Sequence, residues 1–128
     1  MNEVKVKFLT ERNIENGRIV QVYEVGNYEV AVRGRKDPPV VRTFVEIQRK
    51  SGYNGRYLPF LYVYDREDEN DNILMDIHVE TTSYGSLSLD EIAQFMEAMR
   101  NGIKAARIIE QKILKPIEHG TWNWEVLQ

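Results

Sequence analysis

Ser88-Leu89-Asp90-Glu91 opens the one long segment of this sequence with a start and a stop written into it. The S-x-x-E spacing is a capping box, in which the Ser88 hydroxyl accepts from the Glu91 amide and the Glu91 carboxylate reaches back. Asp90 and Glu91 also suit the positive end of a helix dipole. Lys115-Pro116 is the predicted stop, because the residue before a proline is driven out of helical geometry. The 26 residues from Leu89 to Leu114 then form a helix about 39 Å long at about 1.5 Å per residue.

The faces of this helix are unequal. Projected at about 100° per residue, Ile92, Phe95, Met96, Met99, Ile103, Ala106, Ile113 and Leu114 form the main apolar stripe. Ala98, Gly102, Ala105 and Ile109 widen it on one side to about 180°, more than the roughly 100° a helix needs to rest on one sheet. Most of the widening residues are small. Gly102 costs about 1 kcal/mol in a helix interior, which close approach of another backbone would offset. The expected reading is a helix–helix contact through Ala98, Gly102, Ala105 and Ile109, hence a homodimer. The alternative is that Gly102 clears a strand beneath the helix. The opposite face carries Arg100, Lys104, Arg107, Gln111 and Lys115, the pattern of a solvated stripe.

The first 84 residues read as strands. Val4, Val6 and Phe8 alternate with Lys5 and Lys7. Ile19–Val25 and Tyr28–Arg33 flank Gly26-Asn27, a two-residue loop suited to a type II′ hairpin. That hairpin puts Ile19, Tyr23 and Val25 beside Tyr28, Val30 and Val32. Pro38-Pro39 breaks the pattern, since proline cannot donate to a ladder. Further strands are expected at Val40–Gln48, Tyr57–Tyr64 and Ile73–Thr81, and Trp122 and Trp124 in the tail are expected to pack back. Strands followed by one long helix make this an α+β chain: a largely antiparallel sheet of five to six strands, with one long C-terminal helix packed on one face.

Composition narrows the classes of function. The chain has 128 residues and 42% hydrophobic content, which suits a single domain over 1–128 with a real core. It lacks the run of about 18 apolar residues that a membrane span needs. It contains no cysteine, which removes disulfides, thiol catalysis and cysteine-bound zinc. With no apolar targeting segment at Met1–Lys5, the cytoplasm is the expected location. A net charge of −3 makes the whole molecule no general polyanion binder. Phosphate loops, dinucleotide fingerprints, G-x-S-x-G and H-E-x-x-H are all missing, so no enzyme activity and no cofactor are expected.

Three constellations remain. Residues 33–56 hold seven cations, among them Arg42, Arg49, Lys50 and Arg56, against Asp37 and Glu46, a local charge of +5. Tyr57, Phe60, Tyr62 and Tyr64 follow. Cations for phosphates and flat rings for bases are what single-stranded DNA or RNA needs from a protein surface. On that reading Arg42, Arg49, Lys50 and Arg56 hold phosphates while Tyr57, Tyr62 and Tyr64 stack bases. The element order resembles that of dimeric single-strand-binding proteins of the whirly and transcriptional-coactivator kinds, a likeness of order alone without a shared motif. The other reading is a homo-oligomeric protein-interaction module in which the same faces serve subunits.

The acidic run Asp65–Asn72 is the second constellation. Asp68, Asn70 and Asn72 match the first positions of a calcium loop, but Ile73 and Val79 stand where glycine and a bidentate glutamate belong. A solvated hairpin turn is expected, with no metal. Third, Asp76, His78 and Glu80 alternate on one strand face, a geometry for acid–base work that is also that of an ordinary polar sheet face. His119, beside Gly120, has no partner pattern.

Overall fold

Two hairpins with different turn chemistry build the front of the molecule. The computed structural model describes residues 4–36, 43–53, 55–80 and 84–125. Strand β1 (Val6–Asn13) meets β2 (Ile19–Val25) through a turn in which Asn16 and Gly17 both take positive φ, 65° and 71°. Asn-Gly is the favoured pair for that type I′ geometry. Strand β2 meets β3 (Tyr28–Gly34) through Gly26-Asn27, where only Gly26 has positive φ, as a type II′ turn requires. Strand β4 (Phe44–Arg49) adds to β3, giving an antiparallel sheet in the order β1-β2-β3-β4. An extra residue at Leu9 bulges β1 between the Phe8–Tyr23 and Thr10–Val22 pairs.

The remaining strands, β5 (Phe60–Glu67) and β6 (Ile73–Glu80), form a separate antiparallel hairpin. The six strands among the described residues are thus antiparallel as expected, divided four and two. Strand β5 starts three residues later than the spacing predicts. Pro59 has no N–H for a ladder, so Tyr57 and Leu58 precede the strand instead of belonging to it. Of the strand expected at Val40–Gln48, residues 40–42 lie outside the described residues.

Helix α1 (Leu89–Ile109) begins with the capping box in full: the Ser88 hydroxyl accepts from the Glu91 amide, and the Glu91 carboxylate accepts from the Ser88 amide. Its end corrects the sequence reading. The helix does not stop at Lys115-Pro116. A π-helical turn over Glu110–Leu114 is followed by a last helical turn, α2 (Lys115–Glu118), that contains Pro116. Lys115 donates its amide to the Glu110 carbonyl five residues back. Widening the ladder there accommodates a proline that would otherwise collide with the carbonyl four residues earlier. Gly120, at φ 68°, makes the stop. Its amide bonds the Ile117 carbonyl and the Thr121 amide bonds the Pro116 carbonyl, which is a Schellman motif.

One buried cluster joins these parts. It contains Tyr23 and Val25 of β2, Tyr28, Val30 and Val32 of β3, Leu61 of β5, Met75 of β6, and Ala105, Ala106, Ile109, Ile113 and Leu114 of the helix. Gln21 lies among them, fully buried. Its amide donates to Glu11 and to the Trp124 carbonyl, and its oxygen accepts the Tyr23 hydroxyl, so no polar atom of its side chain is orphaned. Those bonds tie the tail down. Trp122 stands edge-on to Tyr23 at 6.0 Å, and a Cβ on Gly34 would come within 2.7 Å of the Trp124 ring.

The arc of α1 that meets this core is the one expected to meet another chain. Gly102, Ala105 and Ile109 are buried, and Ala98 is half-buried. A Cβ on Gly102 would lie 2.6 Å from Pro59 Cγ, and Ala105 Cβ lies 3.7 Å from where a Cβ on Gly26 would stand. The small residues admit Pro59 and the β2–β3 turn of the same chain. As an intersubunit contact, Gly102, Ala105 and Ile109 are therefore corrected: their covering partner is internal, while Ala98 stays half-buried beside an open hollow. The main stripe divides: Ala106, Ile113 and Leu114 are buried in the core, while Ile92, Met96 and Ile103, with Leu89 ahead of them, are exposed.

Candidate functional site

The period-2 alternation of β5 sorts its side chains onto two faces. Leu61 joins the core. Phe60, Tyr62 and Tyr64 point the other way, and Tyr62 and Tyr64 remain 40% and 52% exposed. Their rings form a row with centroids 6.4 Å apart from Phe60 to Tyr62 and 6.3 Å from Tyr62 to Tyr64. The β5–β6 register brings His78 opposite Tyr62, and its ring lies 4.5 Å from that of Tyr64.

Charged groups bracket the row. The Arg49 guanidinium, from β4, sits 4.0 Å over the Phe60 ring, a cation–π contact. At the other end Arg66 Nε donates to Asp76 at 2.5 Å. The Tyr62 hydroxyl is held by the Glu80 carboxylate, and this bond, with a smaller contribution from burial, raises its pKa. Two cations and two carboxylates thus share the face, and the rings dominate it.

The turn that sets this register is the acidic segment. Asp68 Oδ1 accepts the amides of Asn70 and Asn72 at 2.8 and 2.9 Å, and Oδ2 accepts the Asn72 side chain at 3.2 Å. The Asn72 amide, the Asn70 amide and then the Asn72 side chain hold the Asp68 carboxyl below its usual range. The carboxylate is spent on its own loop, which is the hairpin turn expected. Among the described residues no three His, Asp or Glu side chains gather as a metal-ligand group. On the Asp76, His78 and Glu80 face, Asp76 pairs with Arg66, the His78 ring lies against that of Tyr64, and Glu80 bonds the Tyr62 hydroxyl.

The structure separates the residues that the sequence grouped. Tyr57 is buried, edge-on to Tyr84 at 5.1 Å and Phe95 at 6.3 Å, and its hydroxyl donates to Glu91 at 2.9 Å. Burial, then that bond, raises its pKa. With no open ring face, Tyr57 cannot stack a base, and it is corrected to a core ring. Lys50 is paired with Glu24 at 3.1 Å. Arg56 lies 3.8 Å from Glu91 and 5.3 Å from the centroid of the Tyr57 ring, at the edge of a hollow of about 390 Å³ that Ala98 also lines. Arg42 lies outside the described residues. The +5 stretch is thus dispersed and partly neutralised by carboxylates from other elements.

Of the expected site, Arg49, Tyr62 and Tyr64 come together. Phe60, Arg66 and His78 join them. Their shared face was signalled by the acidic turn itself, since a hairpin centred on Asn70 pairs position 62 with 78 and 64 with 76. Among the described residues no helix is long and apolar enough to cross a membrane. No family model, no curated protein and no solved structure matches the chain.

Proposed function

We propose that this protein is a non-enzymatic binding module whose ligand is single-stranded nucleic acid, held on the ring row of β5 and β6. The observation that carries the reading is the row formed by exposed Tyr62 and Tyr64 with half-buried Phe60, ring centroids 6.3–6.4 Å apart. Aromatic rings presented on a sheet face stack two or three successive unpaired bases, each worth about 1–3 kcal/mol. Arg49 flanks the row at one end and offers a phosphate contact there, while Arg66 at the other end is paired with Asp76.

The charge balance shapes the expected behaviour. One cation on the face, Arg49, without a carboxylate on it implies about one phosphate contact, so log affinity falls with log salt at a slope of about −0.7. Stacking then supplies most of the affinity. The test is fluorescence anisotropy of a labelled mixed-sequence single-stranded oligonucleotide across a salt series. The wild-type chain is compared with the Tyr62→Ala, Tyr64→Ala double variant. Losing two stacking rings is expected to weaken binding at least about thirtyfold, with an unchanged circular dichroism spectrum because both rings lie outside the core. Equal affinity of the two proteins, or no binding by the wild type, removes the assignment.

A further inference from the structure

Apolar and cationic side chains meet around a hollow at the β1–β2 turn end of the four-stranded sheet. Its volume is about 370 Å³, and Ile14, Arg18, Arg33, Phe44 and Glu46 line it. Backbone pairing dictates the grouping. The Ile14 amide donates to the Arg18 carbonyl at 2.8 Å, which closes the turn with these two residues opposite each other. Arg33 lies opposite Phe44 on one side and Val20 on the other. Opposed residues share a face, and Arg18 stands two residues from Val20. Tyr23 and Val32, of the other parity, join the core, so the four lining residues stand on the sheet's outer face. The sheet thus presents two pairs of an apolar residue and an arginine: Ile14 with Arg18, and Phe44 with Arg33. Ile14 and Phe44 are 40% and 49% exposed.

The chain's own carboxylates leave this charge uncompensated. Among the described residues Arg18 pairs with no carboxylate. Arg33 stands 3.9 Å from Glu46, beyond hydrogen-bond reach, and Glu46 also accepts from Gln48. An adjoining hollow of about 270 Å³ shares Arg33 and Glu46 and adds Arg12 and Glu29, whose charges cancel. Three arginines against two glutamates give the two hollows together a net charge of +1.

We infer that the hollow binds a small organic monocarboxylate, its carboxylate between Arg18 and Arg33 and its apolar or aromatic body between Ile14 and Phe44. The two arginines are diagonal neighbours with Cα atoms about 7–8 Å apart, so both guanidiniums reach one small anion. Each planar fork matches a carboxylate in shape and charge. One negative charge balances the +1, whereas a dianionic phosphate ester sets excess charge against Glu46. An apolar wall with a few convergent polar groups is the usual make-up of a small-molecule site. The hollow shares no residue with the ring row of β5 and β6, so the inference does not rest on the nucleic-acid reading.

Titration of the isotope-labelled full chain with phenylacetate, followed by two-dimensional amide NMR, tests the site. The amides of Ile14, Gly34 and Val45 are expected to shift, and those of Tyr62 and Tyr64 to stay in place. The expected dissociation constant is about 1 mM, the range for a ligand of that size. Arg18 is exposed, so Arg18→Gln removes one fork and spares the core. It is expected to weaken binding at least about tenfold. Glu46→Gln removes the opposing charge and is expected to tighten binding at least about twofold. Neutral phenylacetamide and dianionic phenyl phosphate are each expected to bind at least about fivefold more weakly than phenylacetate. No shifts at the hollow, equal affinity in Arg18→Gln, or phenylacetamide or phenyl phosphate binding as tightly as phenylacetate would each overturn the inference.

Discussion

Replacing Gly102 with alanine sets two effects of opposite sign against each other. Alanine is the better helix former by about 1 kcal/mol, so at an open position the change would stabilise. Here the added methyl carbon would stand 2.6 Å from Pro59 Cγ, 3.0 Å from Pro59 Cδ and 3.2 Å from the Tyr28 hydroxyl. Carbon atoms pack best at about 3.5–4.0 Å, so the overlap is close to 1 Å. Pro59 is a ring with no rotamer to escape into, and its carbonyl accepts the buried Tyr28 hydroxyl at 2.5 Å. Overpacking of this kind costs about 1–3 kcal/mol, and loosening the Tyr28 bond adds about 1 kcal/mol or more. The expected net loss is about 2 kcal/mol. With a urea slope of about 1–3 kcal/mol per molar for a small domain, the midpoint moves down by about 1 M. Urea unfolding of wild type and Gly102→Ala at one protein concentration measures it. A midpoint that holds or rises would mean that Gly102 faces open space and that the internal contact with Pro59 is wrong.

Two further outcomes follow from the same core and its caps. Tyr28→Phe leaves the Pro59 carbonyl without its buried donor, and is expected to lower stability by about 1–3 kcal/mol with no change in oligonucleotide binding; a loss below 0.5 kcal/mol, by urea unfolding, would mean that water replaces the hydroxyl. The Glu91 carboxyl is held below its ordinary 4.5, first by the Ser88 amide and then by the Tyr57 hydroxyl, and Asp68 is held below its ordinary 3.8 by the amides of its turn. Both groups bind protons less readily folded than unfolded, so their contribution is full above the unfolded values and is lost as pH falls through the lowered folded ones. Stability is therefore expected to drop as pH falls below 4.5, and less steeply in a Glu91→Gln, Asp68→Asn double variant; identical pH slopes for the two proteins would refute the assignment.

Local signals were readable in the sequence, and non-local ones were not. Gly26-Asn27 and the Ser88–Glu91 box each involve backbone groups within four residues, so sequence chemistry alone specifies them. Asn16-Gly17 is a signal of the same kind and fixes the first hairpin. Division of six strands into four and two depends on which edges meet after folding, and no single strand records that. The helix shows the limit most clearly. Periodicity identified an apolar arc wider than one partner requires, but it carries no information about which part of the arc faces inward. That choice was made by Pro59 and Gly26, distant in sequence, which fit only against small side chains. The basic stretch failed for a related reason. Counting charges along a segment ignores Glu24 and Glu91, which the fold delivers to Lys50 and Arg56 from other elements.

The two outward apolar features lie on different elements and share one property. Tyr23, Tyr28, Ile109, Ile113 and Leu114 already close the core, so neither the Tyr62–Tyr64 row nor the Leu89–Ile103 stripe is required to fold the chain. Uncovered apolar surface is a liability for solubility and association, and folding alone gives no reason to retain it. Tyr57 and Gly102 make the contrast. They belong to the same aromatic and helical patterns, but they are buried against Phe95 and Pro59, and changing them acts on stability. The rings of Tyr62 and Tyr64 and the thioether of Met96 can be removed with the core intact. What such variants lose in binding is therefore a measure of what those surfaces contact, free of what they contribute to the fold.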